Sequence, residues 1–187
     1  GLPPATWGTQ AGKFEGYFLG KDVLSFTFQG KPHDIYINEA VCFPQAYAAI
    51  IPIYNRLREM AKAVVVDIGG YTVDYMPLKH GKEDTSAYDS LENGVIFLYN
   101  SIKSKVNADL DLLLEDSDID SILNGSTGDF DEAVVLLVEK RAQAFVDDLV
   151  GQLRERMIVL RVGKTVFVGG GSILLRRQIE ACDKIGS

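Results

Sequence analysis

The chain has 187 residues, of which 47% are hydrophobic and 24% charged, and its formal net charge at neutral pH is −7. These values are typical of one globular domain, or one and a part, and they exclude a disordered chain, a collagen and a coiled coil. The acidic average surface disfavours direct contact with DNA, because a polyanion would be repelled. No apolar run approaches the roughly 18 residues of a membrane span, and two isolated cysteines fit a reducing, cytoplasmic compartment.

The first predicted element is a β-hairpin that follows an irregular opening. Residues 1–22 are rich in glycine and are expected to lack regular structure. Apolar and polar residues then alternate at a period of two over residues 23–29 and 33–41, with a turn at 30–32 between them. This pattern is typical of two antiparallel strands.

A kinked helix and a second hairpin come next. Apolar residues recur at helical spacing over residues 46–60; Pro44 suits the helix start, and Pro52 is expected to kink the helix or shift its start. Residues 62–70 form a continuous apolar run that ends in glycines, as in a strand buried on both faces. Residues 71–81 have period-two character, so the two segments predict a hairpin hinged on those glycines.

The second half of the chain is predicted to be mainly helical. Long periodic segments and one further buried strand ending in glycines alternate along it, and this order favours an α/β sheet domain. The predicted elements are helices at 91–106, 116–124 and 129–157, a strand at 165–171 and a helix at 172–186.

The motif D-I-G-G-Y-T-V-D, residues 67–74, is a candidate phosphate-binding turn. Gly69 and Gly70 let the backbone approach a ligand, since glycine has no Cβ and permits positive φ, and bare N–H groups in such a turn bind anions. Thr72 adds a hydroxyl, and Asp67 can hold a hydrated Mg²⁺ ion. The alternative at this point is a hairpin turn that binds no ligand.

The motif V-F-V-G-G-G-S, residues 166–172, is the second glycine turn. It again joins a buried strand to a helix, whose N-terminus carries a partial positive charge. By itself this signal is weak, because many strand-to-helix turns use glycine. The two turns lie about 100 residues apart in one α/β domain, and ligands bind outside the carboxyl ends of strands in such sheets. The sequence therefore indicates that both turns could face one nucleotide.

These motifs resemble those of a known superfamily. The stretch at 67–74 looks like the second phosphate loop of the actin, heat-shock chaperone and sugar-kinase ATPases, and the stretch at 166–172 resembles their adenosine motif. The opening G-L-P, then V-C-F-P-Q-A-Y-A-A-I and later L-E-N-G-V-I-F-L-Y-N-S-I stand in the order found in ParM/StbA-type bacterial actin-like proteins of plasmid segregation. The resemblance covers nearly the whole chain.

The resemblance implies ATP with Mg²⁺ in a cleft between two ribonuclease H-like lobes. Asp67 would hold the metal and its waters. Gln45, the residue after Phe-Pro, would position the attacking water, and the alternative is that it only caps a helix. The remaining cofactor-binding residues implied by the match are Gly69, Gly70, Tyr71 and Thr72 in the phosphate loop and Gly169, Gly170, Gly171 and Ser172 in the adenosine motif.

The resemblance also implies a partial actin-type fold. Residues 1–61 would form the end of the first lobe, with the hairpin and the crossing helix, and residues 62–187 most of the second lobe with a helical insertion. The superfamily's first phosphate loop has no counterpart in the sequence. The chain is therefore expected to be an internal piece that binds ATP weakly or not at all by itself and is inactive alone.

The predicted function of the longer protein is an actin-like ATPase that forms nucleotide-dependent filaments to move plasmid DNA. Its partners would be further copies of itself and a DNA-binding adaptor, with no membrane contact. Two alternatives stay open: a chaperone- or kinase-like ATPase of the same superfamily, and a non-catalytic interaction module in which the glycine turns are only structural.

Two charged clusters are interpreted as solvated surface. The acidic run at 111–120 lacks the glycine and spacing of a calcium loop. The basic run at 154–164 is interrupted by apolar residues and is expected to lie at solvated helix ends.

Overall fold

The computed structural model describes residues 2, 4–20, 23–84 and 87–186, with the side chains of residues 4 and 5 left out. No helix in this part of the chain is long and apolar enough to cross a membrane. The described elements are α1 (Pro4–Leu19), β1 (Leu24–Phe28), β2 (Lys31–Ile35), α2 (Gln45–Ile50), a 3₁₀ turn (Ile51–Ile53), α3 (Tyr54–Leu57), β3 (Lys62–Ile68), β4 (Val73–Lys79), β5 (Lys82–Glu83), β6 (Asp89–Leu91), α4 (Val95–Leu110), α5 (Asp116–Leu123), α6 (Glu132–Glu155), β7 (Lys164–Val168), α7 (Gly170–Leu174) and α8 (Arg176–Ala181).

A mixed five-stranded sheet forms the centre of the α/β fold. Its order is β5-β4-β3-β7, with β6 also paired to β4. β3 runs antiparallel to β4 and parallel to β7. Because alternate residues of β3 face opposite sides, its apolar run builds two cores. Val66 and Ile68 pack with α4, α5 and α6, whereas Ala63 and Val65 pack with α2 and α3. The predicted α/β class is confirmed.

The expectation of an irregular opening over residues 1–22 is wrong, because most of it forms α1. Two contacts hold this helix to the segment before α2. Trp7 Nε1 donates to the Cys42 carbonyl at 2.8 Å, and the Cys42 N–H donates to Glu15 Oε1 at 2.7 Å. Glycine lowers helix propensity by only about 1 kcal/mol per residue, and such tertiary contacts offset that cost.

The first hairpin is confirmed, but its turn lies one residue earlier than predicted. Gln29 and Gly30 both have positive φ, +51° and +75°, as in a two-residue turn whose twist matches the strands. Lys31 and Pro32 therefore belong to β2, opposite Phe28 and Thr27. β2 ends at residue 35 instead of 41.

Pro52 breaks the predicted 46–60 helix into α2, the 3₁₀ turn and α3, as its missing N–H and its ring require. The predicted second hairpin forms as β3 and β4. The sequence did not indicate β5 and β6, which are two and three residues long. Residue 91 lies in β6 and not in a helix, α4 starts at residue 95, α6 starts at residue 132, and the last predicted helix is divided into α7 and α8.

Candidate nucleotide site

The two glycine turns meet at the carboxyl ends of β3 and β7. Asp67 of β3 lies in register with Val168 of the parallel strand β7. A Cβ on Gly169 would lie 2.3 Å from Asp67 Oδ1, and Gly169 has φ +84° and ψ 163°. Only glycine adopts this conformation readily. The close approach therefore requires glycine at position 169 and brings the Asp67 carboxylate against the second turn.

The N-terminus of α4 closes the first turn from the other side. The first N–H groups of this segment, starting at Gly94, donate to the carbonyl oxygens of Gly69, Gly70 and Tyr71 at 2.9–3.0 Å. A Cβ on Gly94 would lie only 2.4 Å from the Gly70 carbonyl oxygen. The carbonyl groups of the turn thus point towards the N-terminus of α4. The N–H groups of the same peptides point the other way, where they can face a ligand.

The N–H groups of the first turn are largely free. The Gly69 N–H donates to the Thr72 carbonyl at 2.9 Å. Within the described ranges, the N–H groups of Gly70, Tyr71 and Thr72 donate to no backbone carbonyl. Successive unpaired N–H groups in a turn form a concave binding site for an anion such as a phosphate.

A cleft of about 430 Å³ lies between the turns and helices α4 and α5. This volume falls in the usual range for small-molecule sites, about 300–1,000 Å³. The Tyr99 hydroxyl donates to Asp120 Oδ1 at 2.5 Å, and burial together with Asp120 raises the pKa of Tyr99. The residues that line the cleft include Gly69 and Gly70 from the first turn, Gly170 and Gly171 from the second, and Tyr99, Asp120 and Asn124 at the far side.

Asp67 faces a second carboxylate that the sequence analysis did not single out. Asp74 lies directly opposite Asp67 on β4 and is only 2% exposed. Burial raises the pKa of Asp67, and the charge of Asp74 raises it further. Burial also raises the pKa of Asp74, which the nearby hydroxyls of Ser90 and Thr72 lower in part. The hairpin hinged on the glycines fixes this pairing, so the motif itself contained the signal.

The arrangement around Asp67 fits Mg²⁺ better than a fully protein-bound metal. Asp74 Oδ1 is buried and has no hydrogen-bond partner among the described residues. The same residues contain no group of three or more His, Cys, Asp or Glu side chains that could hold a metal. Mg²⁺ keeps several waters and is held by one or two carboxylates plus substrate phosphates. Asp67 would supply such a carboxylate, and a cation would also offset the repulsion from Asp74.

Gln45 is the first residue of α2 and is exposed. Pro44 occupies the N-cap position, and no side chain caps this helix, so a capping role for Gln45 has no support. α2 packs through Ala46 and Ile50 on the face of the sheet that also carries Val65. Asp67 is two residues further along β3, so it lies on this same face. The role of Gln45 stays a prediction.

Close packing against β3 also requires glycine in the second turn. A Cβ on Gly171 would lie 2.4 Å from Ile68 Cγ2 and 2.8 Å from the Ile68 carbonyl oxygen, so glycine is needed there for packing. Gly170, in contrast, has open space at its Cβ position. The Ser172 hydroxyl donates to the Gly169 carbonyl at 2.7 Å and so braces the turn. The structure thus brings together Asp67 and both glycine turns.

The fold is similar to that of actin-like proteins of known structure. The archaeal actin homolog Ta0583 superposes with a TM-score of 0.71 at 21% identity, over 96% of this chain and 58% of that chain. Its complex with ADP gives a TM-score of 0.61 at 20% identity, over 89% and 57% of the two chains. The Alp12 filament structure gives 0.69 at 16% identity, over 100% and 60%. A 15-stranded ParM filament from Clostridium botulinum gives 0.64 at 15%, over 96% and 57%.

These similarities define an actin-like fold, and the chain spans less than two thirds of the length of each of these relatives. Residues 65–181 match the family described as archaeal actin homologue, MreB-like, C-terminal. This chain belongs to that family. No curated protein gives a significant sequence match. The resemblance to actin-like proteins is thus confirmed, and membership of the ParM/StbA-type branch stays a prediction.

Proposed function

We propose that this chain forms the end of the first lobe, residues 1–61, and most of the second lobe, residues 62–187, of an actin-like protein that binds ATP and ADP with Mg²⁺ and assembles into filaments. The observation that carries the proposal is the cleft between the two glycine turns. The second turn requires glycine at positions 169 and 171, where a Cβ would collide, and the first turn presents N–H groups that are unpaired among the described residues.

The free N–H groups of Gly70, Tyr71 and Thr72 would bind the phosphates, because they are successive unpaired donors in the turn whose Gly69 and Gly70 line the cleft. The nucleoside would extend along Gly170 and Gly171 towards α5. Mg²⁺, when bound, would neutralise phosphate charge, and Asp67 would hold it through its coordinated waters. The archaeal actin homolog Ta0583 crystallises in complex with ADP, which supports a nucleotide in this fold.

Hydrolysis would depend on two side chains of this chain. Asp67 would hold Mg²⁺ through its coordinated waters, and Gln45 lies at the start of a helix packed on the same face of the sheet. A neutral amide can orient a water by accepting and donating hydrogen bonds. The site lacks a first phosphate loop from within this sequence, so we expect the chain alone to bind nucleotide weakly and to be inactive.

Filament formation is supported by two related structures, Alp12 and the Clostridium botulinum ParM, both of which are filaments. The narrower form of the proposal is plasmid segregation, with contact to DNA through an adaptor protein. That form rests on the resemblance of the sequence motifs to ParM-type proteins. Co-purification of a DNA-binding protein with the longer protein, dependent on ATP, would support it, and assembly without any such partner would leave a cytoskeletal filament instead.

The nucleotide site is tested by NMR titration of the ¹⁵N-labelled chain with Mg-ADP. We expect amide shifts in the turns at 69–72 and 169–172 and in α5, since these segments line the cleft. Gly128 and Gly151 serve as internal controls because they lie outside it. The matched ligand control is Mg²⁺ with adenosine, which lacks the phosphates.

The titration has clear outcomes. Shifts confined to the cleft with ADP, and much weaker ones with adenosine, would support the phosphate assignment. Shifts elsewhere, or none at millimolar ADP, would contradict the proposed nucleotide site. Nanomolar affinity would contradict the expectation that this chain contains only part of the site.

A further inference from the structure

An apolar groove with a basic rim lies at the pole of the sheet opposite the nucleotide cleft. It has a volume of about 340 Å³, and we call it the basic groove. Neighbouring residues 157–159 also pack beside Lys62 and Ala63, which places this region at the start of β3, away from the glycine turns. The lining residues are Val150, Gly151, Arg154, Ile158, Val159, Leu160, Arg161 and Lys184.

Among the described residues, the cations of the basic groove have no acidic partner. None of its lining residues is acidic, and within the described ranges the side chains of Arg154, Arg161 and Lys184 make no salt bridge. Glu155 and Asp183 are sequence neighbours of two of these residues, but they do not line the groove. Three cations without a salt bridge in the described ranges, around an apolar groove on a chain with a net charge of −7, would be complementary to an acidic, partly apolar segment.

The chain itself carries a segment of that kind at residues 109–116, which runs from the last turn of α4 to the first residue of α5 and which we call the acidic loop. Leu112 and Leu113 are exposed, the latter by 87%. Leu114 packs against the core and anchors the loop. Asp111 has φ +53° and ends α4. The loop therefore presents two leucines to solvent from a fixed position.

The surroundings of the acidic loop stay negative after its internal ion pairs are counted. Lys105 pairs with Asp109 at 2.9 Å, and Lys103 pairs with Asp116 at 2.6 Å. Residues 103–120 contain six carboxylates against these two lysines, a net charge of −4. Glu115 and Asp118 form a capping box at the start of α5, and Asp120 accepts a hydrogen bond from Tyr99, so all three carboxylates make hydrogen bonds within the chain.

The acidic loop and the basic groove lie at opposite ends of α6. α4 packs antiparallel to α6, since residues 97 and 98 of α4 lie beside residues 145–152 of α6, and Ser101 lies beside Arg141. The loop that follows α4 is therefore near the start of α6, and the groove is at its end. About twenty helical residues separate them, or roughly 30 Å at 1.5 Å per residue. The loop cannot reach the groove of its own chain.

We propose that the acidic loop of one copy of this chain docks in the basic groove of the next copy. The exposed Leu112 and Leu113 would cover the apolar floor, and the carboxylates around them would face Arg154, Arg161 and Lys184. Such a contact joins two different surfaces at opposite poles, so it is heterologous, and it builds a filament when successive copies do not close into a ring. The inference rests on the proposed filament function but not on the nucleotide cleft.

The test is sedimentation velocity of the whole 187-residue chain over a concentration series, at low and at high salt and without nucleotide. The groove variant is Arg154→Glu with Arg161→Glu. The loop variant is Asp109→Lys with Leu113→Lys, which leaves the Glu115 cap intact and places a lysine in the last turn of α4, where a cation is tolerated. The control for the groove variant is Lys82→Glu with Lys140→Glu, which gives the same change of net charge at exposed lysines outside the groove.

We expect wild type and the lysine control to self-associate alike, and more weakly at high salt. Each interface variant should need at least about a tenfold higher concentration than wild type to self-associate to the same degree, because like charges would face each other. An equimolar mixture of the groove and loop variants should associate again, since each supplies the partner that the other lacks. Far-ultraviolet circular dichroism and urea midpoints close to wild type confirm that the variants fold.

Three results would overturn the inference: wild type that stays monomeric throughout, a groove variant that associates like the lysine control, or a mixture that fails to restore association. A failure of the nucleotide proposal looks different. In that case ADP would cause no amide shifts in the cleft, while the loop and groove variants would still behave as described.

Discussion

Substitution of Gly169 by alanine is the sharpest test of how the two glycine turns are joined. Gly169 has φ +84° and ψ 163°, a region that only glycine adopts readily. The new Cβ would lie 2.3 Å from Asp67 Oδ1 and 2.6 Å from the Ile68 carbonyl oxygen. The second contact is to backbone, which cannot move aside without shifting β3.

The expected loss of stability follows from these two effects. Backbone strain costs about 1–3 kcal/mol and overpacking about 1–3 kcal/mol, together about 2–6 kcal/mol against a typical domain stability of about 5–15 kcal/mol. The adjacent Gly170 is the matched control. It has no atom within 4 Å of its Cβ position and no positive φ, so alanine there should change stability by less than about 1 kcal/mol.

The assay is urea unfolding followed by circular dichroism, with Mg-ADP titration of whichever variants fold. We expect Gly169→Ala to lower the free energy of unfolding well below that of Gly170→Ala. It should also weaken ADP binding, because Asp67 is displaced. Equal stability of the two variants would refute the claim that the turns are in contact through Gly169 and Asp67.

Three further predictions concern Asp67, Gln45 and α5. Burial and the charge of Asp74 raise the pKa of Asp67, so the folded state binds the carboxyl proton of Asp67 more tightly than the unfolded state does. The free energy of unfolding should therefore fall as the pH rises from about 4 through the raised pKa of the folded state. Asp67→Asn, unfolded by urea in EDTA, should therefore be more stable than wild type at pH 7 and equal to it below about pH 4; the opposite order at pH 7 would contradict this. In the longer protein with both lobes, Gln45→Ala should slow ATP hydrolysis by about 10²-fold while ATP still binds, and Asp67→Ala should abolish hydrolysis, as measured by phosphate release; loss of ATP binding in Gln45→Ala would make that residue structural. Arg177 donates to the last two carbonyls of α5 and pairs with Glu139. Arg177→Met should therefore lower the free energy of unfolding by about 1–3 kcal/mol and speed amide exchange in α5 before other segments. A uniform increase in exchange across the chain would argue against a local role of Arg177.

Much of the sheet could be predicted from the sequence because its signals are local. The apolar run of β3 and the period-two pattern of β4, hinged on two glycines, predicted their pairing, and the structure has it. Pro52 acts through its own backbone chemistry, and it breaks the helix as expected. The glycine turns were recognised because a strand ending in glycines is a compact motif.

The remaining elements depend on long-range contacts. α1 is glycine-rich, and the contacts that hold it come from Cys42, 27 and 35 residues away from its partners. β5 and β6 are too short to show a period and are defined by pairing with β4. Within the site, Gly94 lies in the stretch L-E-N-G, which was noted only for its resemblance, and its contact with Gly70 arises from folding. The burial that raises the pKa of Asp74 likewise depends on β6, which the sequence did not indicate.

The most direct test of the central claim is light scattering with pelleting of the longer protein that contains both lobes. It compares Mg-ATP, Mg-ADP and no nucleotide, with Asp67→Ala as the control for nucleotide dependence. An actin-like protein should form polymer with ATP that disassembles as phosphate is released, and the Asp67 variant should not show that decay. ATP turnover without any polymer would contradict the filament function and indicate a chaperone- or kinase-like ATPase, and the absence of both signals would leave the glycine turns as structural features only.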